Sequence, residues 1–121
     1  MNTKHYKQKL VAKEQELIAD IARIEDEARA AGEAEVRDAM DDATTAQMVS
    51  EALELGTLAS STLVKVQDAL RRIEEGTYGK CLDCDREIEP SRLEAIPWAE
   101  YCLEDQEKRD QAEHVGGGAT L

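Results

Sequence analysis

The chain has 121 residues, of which 35% are charged and 3% aromatic, with no Phe. Such a composition excludes a thick hydrophobic core and favours thin helical seams braced by some other device. A formal net charge of −12 with no concentrated basic patch excludes DNA or RNA reading through phosphate contacts.

No apolar run is long enough to span a membrane, and the start MNTKHYKQK lacks the apolar core of a secretion signal. The three cysteines, an odd number, cluster in one stretch and fit a reducing cytoplasm better than a disulfide scaffold. A cytoplasmic protein is expected.

From about Thr3 to Arg37 there is no Pro and one glycine, Gly32. Leu10, Leu17, Ile21, Ile24, Ala28 and Ala31 recur in helical steps, which predicts a helix with a narrow heptad seam. A lone amphipathic surface helix would show the same pattern, but a matching seam further on favours a pair. The pattern breaks between Arg37 and Thr45, where Asp38, Asp41 and Asp42 crowd together with threonines that cap and turn.

A second helix is expected from between Asp41 and Thr44 to about Glu75, with its seam on Val49, Ala52, Gly56, Ala59, Leu63, Val66, Leu70 and Ile73. Folding back near residue 40 sets Ile24 opposite Gly56, Ile21 opposite Ala59, Leu17 opposite Leu63 and Leu10 opposite Leu70. Gly76 then ends the helix as a C′ glycine.

Cys81-Leu82-Asp83-Cys84 follows, and after a spacer comes Cys102-Leu103-Glu104-Asp105. A C-x-x-C turn brings two sulfurs to one tetrahedral ion, and the spacing is that of a zinc ribbon with Asp105 at the fourth corner. Three alternatives stay open: His114 as the fourth ligand, a finger held by packing alone, and a Cys81–Cys84 redox pair. Between the cysteine pairs, Pro90 opens a short helical turn, Pro97 interrupts, and Trp98 and Tyr101 pack near the knob. A charged helix is expected from Leu103 to His114, with Gly116–Gly118 starting a frayed end.

The fold class expected is mainly α. It comprises a long antiparallel two-helix coiled-coil hairpin over residues 1–76, a zinc-finger-like knob with a short C-terminal helix over 77–114, and a flexible tail over 115–121.

This order of parts resembles the DksA/TraR family of transcription factors. The residues that carry the resemblance are Tyr78-Gly79-Lys80-Cys81 through Cys84, Arg92-Leu93-Glu94-Ala95-Ile96-Pro97 and Cys102, with Asp38, Asp41 and Ala43 matching the family's tip motif D-x-x-D-x-A. It spans roughly residues 5 to 112. The resemblance implies one zinc ion per chain, on Cys81, Cys84, Cys102 and Asp105. It implies direct binding to bacterial RNA polymerase as a monomer and without DNA. The hairpin would enter the secondary channel, so that Asp38, Asp41 and Ala43 approach the polymerase active site and modulate initiation.

The alarmone ppGpp is a second partner that the resemblance implies, with Lys65 as its contact, but Ile96 and Gln106 stand where basic residues are expected. Asp105 replaces the family's fourth cysteine, and Leu55–Ala59 is uncharged where better-known members carry arginines. The chain starts directly on its first arm, without the extra N-terminal helix of longer members. Nothing suggests catalysis, since no nucleophile–base pair or phosphate-cradling glycine loop is apparent. The readings from other classes are a zinc-ribbon coiled-coil adaptor for another protein and a thiol redox sensor.

Overall fold

The computed structural model describes residues 1–37 and 42–118. Four helices are found among them: α1 (Thr3–Arg37), α2 (Asp42–Glu75), α3 (Pro90–Ala95) and α4 (Leu103–Gly118). Outside the helices, the described residues include an isolated antiparallel bridge between Lys80 and Glu87. No helix among them is long and apolar enough to cross a membrane. The chain forms two compact units: one is Ala12–Val64, and the other joins Met1–Val11 to Lys65–Leu121.

In the Ala12–Val64 unit, stretches of α1 and α2 run antiparallel and the core is thin. Leu17 and Ile24 are buried, each worth about 1.5–3 kcal/mol of transfer free energy. A Cβ placed on Gly56 would lie 3.6 Å from Cγ2 of Ile24, which is the expected pairing of a large residue with a small one. Small side chains on α2 leave a groove of about 280 Å³ beside that contact, lined by Ile21, Ile24, Ala28, Leu53, Gly56 and Thr57 among others. Ile18, Leu53, Leu55, Leu58 and Val64 stay more than half exposed. On α2 the hydroxyls of Thr57 and Thr62 donate back to the carbonyls of Leu53 (2.9 Å) and Leu58 (3.0 Å), so the uncharged stretch satisfies its own polar groups.

The other unit has a denser core. Leu10, Val66, Ala69 and Leu93 are fully buried, with Tyr6, Tyr78, Ile88 and Ala99 close to it. The heptad seam includes Leu10 and Val66 but omits Tyr6, Ala69 and Arg72, all of which are buried. Here α1 and α2 meet the finger as well as each other, so the apolar stripe is wider than a two-helix seam. The Tyr6 ring packs against the Tyr78 ring with centroids 5.7 Å apart. Lys7 pairs with Glu74 at 3.1 Å, which sets the start of α1 beside the end of α2.

Gly76 ends α2 as expected. Its φ of +78° suits a residue without Cβ. The Gly76 amide donates to Ile73 at 3.2 Å and the Thr77 amide to Arg72 at 2.9 Å, the paired bonds of a Schellman cap.

The C-terminal helix departs from expectation. α4 continues to Gly118, through the glycines expected to start the frayed end. Extending a helix fixes one residue per added bond, so propagation tolerates poor helix formers that could not nucleate one.

Candidate metal centre

The finger is built from a tight reversal. The Ile88 amide donates to Gly79 and the Cys81 amide to Arg86, both at 2.8 Å, while the Asp85 amide returns to the Cys81 carbonyl at 3.0 Å. Gly79 takes φ +90°, and Asp85 takes φ +62°, a conformation aspartate tolerates better than most residues. The turn thereby aims Cys81 and Cys84 the same way. The second pair is placed by α4, where Cys102 stands just before the first helical residue and its carbonyl accepts from the Gln106 amide at 2.9 Å. Asp105 lies in that first turn, where a carboxylate also complements the helix dipole. The Leu82 amide ties the two halves together by donating to the Glu100 carbonyl at 2.9 Å.

The four candidate ligand atoms lie within 4.8 Å of one another. Two sulfurs held about 2.3 Å from a tetrahedral zinc stand about 3.8 Å apart, and a sulfur–oxygen edge is about 3.6 Å. The Cys84–Cys102 sulfur separation is 3.8 Å, and the sulfurs of Cys102 and Cys81 lie 3.4 Å and 3.0 Å from Oδ2 of Asp105. The donor set and its spacing therefore fit one zinc ion.

Thiols and carboxyl share their protons unequally. The thiols of Cys84 and then Cys81 hold the Asp105 carboxyl down at about 2. The Asp105 carboxylate in turn pushes the Cys84 thiol up to about 12. Loading a metal must displace protons from the sulfurs, since thiolate is the ligating form.

Around these ligands sits a polar frame that sequence reasoning missed. Arg109 donates through Nε to Oδ2 of Asp83 and through Nη2 to Oδ1, both at 2.7 Å. Its guanidinium also lies 4.1 Å from the centre of the Tyr101 ring. Glu89 accepts from the Leu103 amide at 3.3 Å, satisfying an amide at the start of α4, and Arg92 Nε donates to the Tyr101 carbonyl at 3.0 Å. The available signal was Arg109 standing one turn after Asp105, opposite in charge to the aspartate inside the C-x-x-C turn.

The remaining candidate residues fare differently. Asp38 and Asp41 lie outside the described residues. Ala43 is in the first turn of α2, and His114 is in α4, but the side chains of both also lie outside them. Lys65, Ile96 and Gln106 do come together, lining a cleft of about 160 Å³ with Trp98, Ala99 and Glu100. His5 is half-exposed and shares Glu94 with Lys9, at 2.7 Å and 2.6 Å.

Comparison with known proteins is consistent with this geometry. Residues 76–111 match the family model for the prokaryotic dksA/traR C4-type zinc finger. The chain is 32% identical over 117 residues to the RNA polymerase-binding transcription factor DksA of Caulobacter vibrioides, covering 92% of this chain and 78% of that one. It is 48% identical over 48 residues to an uncharacterised protein of Aquifex aeolicus, covering 40% of this chain and 33% of the other. Among solved structures it is similar to transcription factor DksA2 from Pseudomonas aeruginosa, with a TM-score of 0.78, 28% identity, and coverage of 92% of this chain and 84% of that one. Where the family model is of a C4 type, the fourth position here is Asp105.

Proposed function

This chain belongs to the DksA/TraR family of zinc-finger transcription factors, and on that premise we propose that it regulates transcription by binding RNA polymerase directly. The observation that carries this reading is the Caulobacter alignment, which covers 92% of the chain and so includes the helical arms as well as the finger. In this reading Cys81, Cys84, Cys102 and Asp105 hold one structural zinc, and the arms enter the secondary channel with Asp38, Asp41 and Ala43 foremost. Carboxylates carried there can meet a polymerase-bound Mg²⁺, which prefers oxygen ligands. The charge of −12 supports action without DNA contact.

Little among the described residues supports dependence on ppGpp. The cleft around Lys65 offers a single cation against Glu100, whereas clustered phosphates call for several charged donors.

A pull-down of bacterial RNA polymerase, competed by a known secondary-channel binder, tests the proposal. Competed binding supports it. Absence of binding by folded, metal-loaded protein would sink it and favour an adaptor that uses the exposed leucines of α2. Asp41→Asn separates the tip from the rest, because it should abolish the transcriptional effect while leaving binding and folding unchanged.

A further inference from the structure

We infer that Arg109 is the positioning residue of the metal centre: it locks α4 onto the C-x-x-C turn and so holds the Asp105 carboxylate at the fourth corner. This rests on the reading that Cys81, Cys84, Cys102 and Asp105 bind one metal ion.

The argument begins with what a carboxylate does less well than a thiolate. Three sulfurs grip zinc as soft, directional ligands, whereas an aspartate oxygen is a harder ligand with two equivalent atoms and a rotatable plane. Its placement therefore has to come from its surroundings. Asp105 rides on α4, and Arg109 stands one turn further along the same helix. From there the guanidinium forms a two-point fork on Asp83, the residue between Leu82 and Cys84. The same group covers the Tyr101 ring, immediately before Cys102. One side chain thus joins the segments that present all four ligands. The fork is bidentate, so it fixes direction as well as distance, which a lysine's point charge cannot do.

The pair is half-exposed, so its direct worth to stability is small and its effect should appear at the metal. Partners outside the ligand set commonly change metal affinity by about 10–100-fold when removed.

The test uses the full chain, reduced and stripped of metal, titrated with Co²⁺ and followed by visible absorption. Wild-type protein should take one ion with the strong ligand-field bands of a tetrahedral site. Arg109→Gln should bind about tenfold more weakly. Its ligand-field bands should move toward those of Asp105→Ala, while sulfur-to-cobalt charge transfer keeps its intensity per bound ion. Arg109→Lys should fall between Arg109→Gln and wild type, and metal-free helix content should be the same in all four proteins. Wild-type affinity and bands in Arg109→Gln would overturn the inference while leaving the metal site standing. Weaker binding that merely follows a loss of metal-free helix would also overturn it, since Arg109 would then be a folding residue. A wild-type chain that takes up no Co²⁺ would overturn the metal-site reading, and this inference with it.

Discussion

Cγ2 of Ile24 lies 3.6 Å from the point where a side chain on Gly56 would begin. That distance is ordinary van der Waals contact, so a methyl group fits there without displacing the isoleucine. Gly56→Ala should stabilise the Ala12–Val64 unit by up to about 1 kcal/mol, the helix-interior difference between the two residues. Urea denaturation followed by circular dichroism would measure it. A loss of stability would mean the helices lie closer than the structure has them.

Tyr78 donates its hydroxyl to the Pro97 carbonyl at 2.7 Å in a buried setting. Burial is the main cause that raises its pKa well above the ordinary tyrosine value. Tyr78→Phe should cost about 1–3 kcal/mol, because the carbonyl is left without its donor. Ultraviolet titration of the folded wild type should show one tyrosine resisting ionisation until alkaline unfolding.

The Lys9 amine, and then His5, hold the Glu94 carboxyl below the usual carboxylate range. A carboxyl with a lower pKa folded than unfolded stabilises the fold above its unfolded value, about 4.3, and loses that contribution as pH falls through the folded value. Wild type should therefore melt slightly above Glu94→Gln at neutral pH, with a constant gap down to about pH 5. The two melting curves should converge in stronger acid. A gap that widened there would contradict the pairing.

Asp105→Cys completes the set of four thiolates. It should bind zinc more tightly, and each tenfold gain adds about 1.4 kcal/mol to unfolding free energy in zinc excess. Competition with a chromophoric chelator gives the affinity, and thermal melts with and without zinc give the linkage. Equal affinities would mean the carboxylate already serves as well as a fourth sulfur.

The Ile24–Gly56 pairing was legible because a large and a small residue recur at fixed steps along the two arms, which a one-dimensional pattern preserves. Tyr6, Ala69 and Arg72 were illegible for the opposite reason. They lie off the two-helix seam, and the contact that covers Tyr6, its ring pair with Tyr78, joins residues far apart in sequence. The metal ligands could be read because cysteine is scarce and its spacing is informative. Asp83 and Arg109 were missed, since 35% of the residues are charged and the placing of this one complementary pair beside the ligands stands out little among so many. The end of α4 was misplaced by treating the glycines as breakers, although a helix already under way can run through them.

The unit that carries the finger is discontinuous, drawing Met1–Val11 from the chain start and everything from Lys65 onward. A ribosome makes Met1–Val11 well before it reaches Lys65 and the residues that follow. Tyr6 must wait for Tyr78, and His5 for Glu94, before either contact can close. Loops of that length make such contacts late ones, so the newborn first arm emerges with its apolar residues uncovered. A fragment beginning at Gly76 would keep its cysteines but lack Tyr6 and Leu10, and so should fold poorly when made on its own.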